Sequence, residues 1–151
     1  TFGGVAHRAE FVREVDGVKY YNDSIASSPT RTALGTLSLY SRKICIIAGG
    51  YDKHIPYEPL GPVINDKVKL LILLGDTAPK IEKAVKEASN YDADEIEIVN
   101  VTNMEEAVAV ARERSTKGDI VSLSPASASF GLYKNFEERG NHFKSIVNAL
   151  K

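Results

Sequence analysis

The sequence has 151 residues, 43% hydrophobic and 26% charged, a length and mix suited to one folded domain with a real core. Nineteen Lys+Arg against twenty Asp+Glu leave a net charge of -1, which removes the electrostatic case for coating nucleic acid or an anionic membrane but not for a local anion site. The single Cys45 excludes an internal disulfide and fits a reducing compartment, no apolar run approaches the ~18 residues of a membrane span, and the chain opens at Thr1 without Met or a signal-peptide pattern, as expected of a fragment or a processed chain.

Glu10–Val15, the dipeptide Asp16-Gly17 and residues 18–21 have the layout of a β-hairpin, because Asp-Gly supplies the positive φ angles of a tight primed turn. Residues 22–28 read as a polar loop, and Pro29 suits the first turn of a helix capped by Ser28. Ala33, Leu34, Leu37 and Tyr40 then recur at helical spacing. Ile44–Ala48 and residues 70–74 are continuous apolar runs leading into Gly, the pattern of strands covered on both faces. Ile81, Ala84, Val85 and Ala88 mark one helical stripe; Met104, Ala107, Val108 and Ala111 mark another, introduced by Thr102 with Glu105 three residues on, a capping-box pattern. Residues 95–99 and Ile120–Leu123 read as strands, and Phe143, Ile146, Val147 and Leu150 close the chain on an amphipathic helix. This alternation predicts one α/β domain over residues 1–151. Its sheet is Rossmann-like, open and mostly parallel, with helices on both faces and the hairpin as an antiparallel addition.

In such a sheet, ligands collect beyond the carboxyl ends of the strands. Residues 22–28, 49–54 and 124–130 fall at such places. Each has an ordinary structural explanation: Gly49-Gly50 as a turn, the serines as helix caps, Lys53 as a solvated charge. Three such loops at one sheet edge shift the balance toward a site for a small anionic ligand. His7-Arg8 reads as a surface pair, yet a guanidinium can grip phosphate with two parallel bonds, and Asp23 can accept from a ribose hydroxyl. The sequence carries no G-x-x-x-x-G-K-[ST], no G-x-G-x-x-G and no G-x-S-x-G. One Cys and three scattered His do not make a zinc cluster. Residue by residue, the reading is an anion-binding rim without a complete catalytic centre.

Several segments, in order, resemble the C-terminal domain of the Mur ligases of peptidoglycan synthesis. They are His7-Arg8-Ala9-Glu10, Tyr21-Asn22-Asp23-Ser24, Ala48-Gly49-Gly50-Tyr51-Asp52-Lys53, Ser124-Pro125-Ala126-Ser127-Ala128-Ser129, and Lys134-Asn135-Phe136-Glu137-Glu138-Arg139-Gly140. The last two point to the D-glutamate-adding branch. Two positions depart from the family pattern: Ile25, where many members have Lys, and Gly131, where Asp is usual. The resemblance implies a cytoplasmic, ATP- and Mg²⁺-dependent ligase of three domains, of which this chain would be the third. The UDP-binding and P-loop domains would be absent, and with them the groups that hold UDP-N-acetylmuramoyl-L-alanine. It implies that His7, Arg8 and Asp23 contact ATP across the domain interface. Ser27, Lys53, Ser129 and Phe136 (the last through its backbone) would hold D-glutamate. By the same resemblance the isolated domain has no catalytic residue, binds no metal or cofactor alone, is inactive by itself, and partners neither nucleic acid nor membrane. A sister ligase adding another amino acid, and a non-catalytic α/β ligand-binding module, remain the alternative readings.

Overall fold

The apolar runs assemble, in a computed structural model describing residues 5–151, into one six-stranded sheet. In chain order the elements are β1 (Glu10–Val15), β2 (Val18–Asn22), α1 (Pro29–Arg31), β3 (Ile44–Ala48), α2 (Leu60–Lys67), β4 (Val68–Leu73), α3 (Ala78–Glu87), β5 (Glu97–Asn100), α4 (Met104–Arg114), β6 (Ile120–Leu123) and α5 (Phe136–Asn148). The sheet order is β1-β2-β6-β3-β4-β5; β1 runs antiparallel to β2, and every other neighbouring pair is parallel. Asp16 and Gly17 both take positive φ, as the hairpin turn requires. The hairpin is tied down by Arg13, whose Nη1 donates to the carbonyls of Val147, Asn148 and Leu150 at 3.3, 3.1 and 2.9 Å. A cation there satisfies the open carbonyls at the end of α5.

All five residues of β3 are buried, because the sheet is covered on both faces. Cys45 and Ile47 join Leu70, Ile72, Val121 and Leu123 against α4 and α5, around Val108 and Phe143. Ile44, Ile46 and Ala48 join Leu71 and Leu73 against α2 and α3, around Ile64, Ile81 and Val85. No helix among the described residues is long and apolar enough to cross a membrane.

Three local features differ from the sequence reading. Ser28 does cap α1, accepting from the Arg31 amide at 3.2 Å. The chain then widens into a π-turn, Thr32–Thr36, and tightens into a 3₁₀ turn, Leu37–Leu39. That change of winding breaks the 3.6-residue phase: Leu37 is fully buried while Leu34 is 72% exposed. Helix α2 has no counterpart in the sequence pattern: Gly61-Pro62 lies in its first turn and Pro56 and Pro59 precede it, residue types that ordinarily interrupt helices. Gly61 is there because a Cβ would overlap the Ala84 carbonyl of α3. Finally, α4 is capped one residue later than expected. Asn103 accepts from the Glu106 amide at 2.8 Å, and Glu106 accepts from the Thr102 amide at 2.8 Å.

Candidate functional site

The order β2-β6-β3 sets the loops 22–28, 124–130 and 49–54 side by side at one sheet edge. Backbone bonds stitch them together. Ala126 donates to Ala26 (2.9 Å), Gly49 to Pro125 (2.8 Å) and Tyr51 to Ala128 (2.9 Å). Gly49 has φ +110, and a Cβ on it would overlap the Leu74 carbonyl, so the loop after β3 needs glycine to pass. Ala126 sits at φ +54, a left-handed conformation that costs a side-chain-bearing residue about 1–2 kcal/mol. It is held there by Tyr57, whose hydroxyl lies 2.9 Å from the Ala126 carbonyl and 2.8 Å from Ser127 Oγ. Ser127 Oγ is also 2.7 Å from Thr77 Oγ1, which accepts from the Gly50 amide at 3.0 Å.

Arg139 of α5 is the keystone beneath these loops, at 3% exposure. Its Nε donates to Ser24 Oγ (3.0 Å), Nη1 to the Ser127 carbonyl (2.9 Å), and Nη2 to the Ser24 carbonyl (2.7 Å) and Ser27 Oγ (3.1 Å). Every acceptor is neutral, and no carboxylate pairs with it among the described residues. Burial pulls its pKa down to about 10, so it remains a cation at neutral pH. Ser24 Oγ passes the link on, donating to the Phe136 carbonyl at 2.7 Å. The structure therefore gathers Ser27, the loop bearing Ser129, and Phe136 around one buried positive charge. Phe136 is the first residue of α5, with Asn135 as cap accepting from the Glu138 amide at 2.8 Å. Its own amide is one of the donors a helix leaves open at its N-terminus, where an anion is favoured. Ser129 is half-buried, and its carbonyl takes the amides of Leu132 and Tyr133 at 3.3 and 3.0 Å. Lys53 is exposed and has no ion-pair partner among the described residues. Neighbouring Asp52 is engaged by Lys80 of α3 at 2.6 Å.

A cleft of about 460 Å³ opens beside the loop 22–28; Arg8, Ala9, Asp23, Ile25, Arg31 and Leu39 are in its wall. Asp23 is buried and accepts from the Ala9 amide at 3.0 Å. Burial pushes its pKa up to about 6, despite that bond and the attraction of Arg31 and Arg8. Two exposed guanidinium groups around a buried carboxylate, with Ile25 and Leu39 as apolar wall, suit a ligand with phosphates, a hydroxyl donor and a flat apolar part. Ile25 thus contributes surface rather than charge. His7 is not part of that wall. Its ring is buried, with Nδ1 2.9 Å from Asn22 Nδ2 and its edge on the Phe136 ring at 5.8 Å. A Cβ on Gly140 would overlap it. His7 thus joins the segment before β1 to Asn22 of β2 and Phe136 of α5.

The sequence reading did not find Arg31, which carries no motif, and assigned no role to Arg139. Thr77 and Tyr57 give no local signal either, because their partners lie about 27 to 70 residues away along the chain.

Comparison with known proteins agrees with this architecture. The model of the family "Mur ligase, glutamate ligase domain" matches residues 7–127. The chain is 58% identical over its whole length to the UDP-N-acetylmuramoylalanine–D-glutamate ligase of Acetivibrio thermocellus, covering 33% of it. It is 59% identical to that of Clostridium botulinum strain Okra, covering 99% of this chain and 32% of the relative. The chain thus spans about a third of the length of the curated relatives it matches. Among solved structures, the UDP-N-acetylmuramate-alanine ligase of Thermotoga maritima superposes with TM-score 0.62 at 11% identity, covering 99% of this chain and 32% of that one. The bifunctional folylpolyglutamate synthase/dihydrofolate synthase of Yersinia pestis reaches 0.64 at 12%, covering 95% and 32%. At such identities these show a shared fold. The family model and the close relatives show more: the chain belongs to the Mur ligases, as a glutamate ligase domain.

Proposed function

We propose that the chain is the amino-acid-binding domain of an ATP-dependent ligase that joins D-glutamate to UDP-N-acetylmuramoyl-L-alanine. The observation that carries this is the chain-long identity of 58–59% to ligases bearing that name. The site chemistry supports it. D-Glutamate is a dicarboxylate. Lys53 supplies a free cation for one carboxylate, while the Phe136 amide, Ser129 and Ser27 supply donors around the buried Arg139 charge for the other. Such charge-assisted bonds are the strong ones.

Arg8, Arg31 and Asp23 form the half of an ATP site that this domain brings on closing, the guanidiniums towards phosphates and Asp23 towards a ribose hydroxyl. ATP converts the nucleotide substrate's carboxylate to an acyl phosphate; the amine of D-glutamate attacks it, and the tetrahedral intermediate expels phosphate. The role of this chain is to orient that amine and exclude water from the acyl phosphate. A Yersinia pestis relative by fold is described with AMPPNP and a Mn ion. Among the described residues no group of three His, Cys, Asp or Glu is placed to hold a metal ion; in this reading Mg²⁺ and the P-loop are supplied by the other domains of the ligase.

The test is a chimaera in which this chain replaces the matching C-terminal part of the Acetivibrio thermocellus ligase. With ATP and UDP-N-acetylmuramoyl-L-alanine, phosphate release and amide formation should require D-glutamate. Turnover with L-lysine or meso-diaminopimelate instead would assign a sister ligase. A soluble, folded chimaera active with no amino acid would leave the chain a non-catalytic module.

A further inference from the structure

We propose that Tyr51 and Phe130 form an aromatic clasp that fixes the loop carrying Lys53 against the loop carrying Ser129, and so sets the span available to the amino-acid substrate. The proposal rests on the amino-acid site described above. Tyr51 follows Gly49-Gly50 beyond β3; Phe130 follows Ser129 beyond β6. Their rings meet edge to face, 5.1 Å apart at 79°. The same two loops are bridged by the Tyr51 amide on the Ala128 carbonyl, one residue from Ser129 and two from Lys53. Clasp and bridge together fix both the separation and the rotation of the loops, which one hydrogen bond cannot do.

Gly131 follows the clasp directly. It adopts φ +91, a conformation that suits glycine, and a Cβ there would meet only the Tyr51 ring, at 3.9 Å. The chain after Phe130 therefore passes close to the Tyr51 ring. Phe130 remains 65% exposed and Leu132 58%, so the pair stands at the rim of the sheet edge and contributes little to the core. Two large apolar rings exposed at the mouth of an anion site, in contact with each other, are best explained by what they hold in place. Tyr51 and Phe130 are positioning residues: they act on the substrate through Lys53 and Ser129.

The test uses the chimaeric ligase described above and the variants Tyr51→Ala, Phe130→Ala, the double variant and Tyr51→Phe. Each ring is exposed, so all should fold, which thermal melting checks. Tyr51→Ala and Phe130→Ala should each raise the KM for D-glutamate roughly three- to tenfold, the worth of an edge-to-face pair. The KM for ATP and kcat should move less than about twofold, a change too small to signal loss of transition-state contacts. The double variant should be no worse than either single one, and Tyr51→Phe should match the unsubstituted protein. Additive single effects, or a Tyr51→Phe as impaired as Tyr51→Ala, would show independent contacts with the ligand and overturn the clasp. An unchanged KM in both alanine variants would overturn it too, while leaving the D-glutamate reading intact. If the unsubstituted chimaera does not use D-glutamate, the amino-acid reading fails, and the clasp, which rests on it, falls with it.

Discussion

Replacing Asp23 with Asn should make the domain more stable, and by an amount that depends on pH in a defined sense. Asp23 is almost fully buried, and its pKa is pushed up from 3.8 to about 6, burial outweighing the Ala9 amide and the two arginines. A carboxyl with a folded pKa above its unfolded one favours folding when protonated and opposes it when ionised. Its contribution is thus most favourable below pH 3.8 and is lost as pH rises through about 6. Just over two pH units correspond to roughly 3 kcal/mol of penalty above that range. Asn keeps the oxygen that accepts from Ala9 and cannot ionise. The variant should therefore exceed the parent by roughly 3 kcal/mol at pH 7.5, or about 6–12 °C in Tm for a domain of this size. The gap should shrink to about 1 kcal/mol at pH 4.5, where the unfolded carboxyl is still largely ionised and the folded one is not. Thermal unfolding of both proteins by circular dichroism across that range reads it directly. A constant difference, or an Asn variant less stable at pH 7.5, would refute the reasoning. Retaining an ionised group at this cost is expected where function needs it. In the chimaeric ligase the same substitution should raise the KM for ATP.

Arg8→Ala in that ligase should slow turnover by roughly one to two decades, the worth of about 1.5–3 kcal/mol for one charge-assisted contact, with Tm unchanged because Arg8 is exposed. Lys53→Met should raise the KM for D-glutamate about tenfold or more and leave that for ATP nearly unmoved; equal weakening of both would indicate a damaged loop. Gly140→Ala should cost about 1–3 kcal/mol of stability by driving a methyl group into the His7 ring, seen as a lowered Tm of the chain. An unchanged Tm would show that His7 is free to move.

The parts of the fold that the sequence disclosed are those fixed by short-range pattern. The apolar run Ile44–Ala48 suits a doubly covered strand and Asp16-Gly17 suits a tight turn, and the structure has both. What escaped depends on contacts distant in sequence. Gly61 makes sense only against Ala84 of α3, and Leu34 faces water because it lies within the widened π-turn Thr32–Thr36. The site divides the same way. The loops bearing Ser27, Lys53 and Ser129 were legible as strand-end loops, but their adjacency comes from β6 lying between β2 and β3. Arg139 stood in a recognised segment, yet its reach to Ser24 and Ser27 spans more than 110 residues of chain. His7 and Phe136, assigned from sequence to different ligands, touch each other.

The account rests most heavily on where D-glutamate sits. A crystal structure of the chimaeric ligase with D-glutamate and a non-hydrolysable ATP analogue measures it. One carboxylate should lie within about 3.2 Å of Lys53 Nζ and the other within the same distance of the Phe136 amide. Arg8 should reach the phosphates, and Tyr51 should remain against Phe130. D-Glutamate bound away from both Lys53 and Phe136, or both carboxylates taken by residues outside this chain, would contradict the assignment of this domain as the amino-acid site.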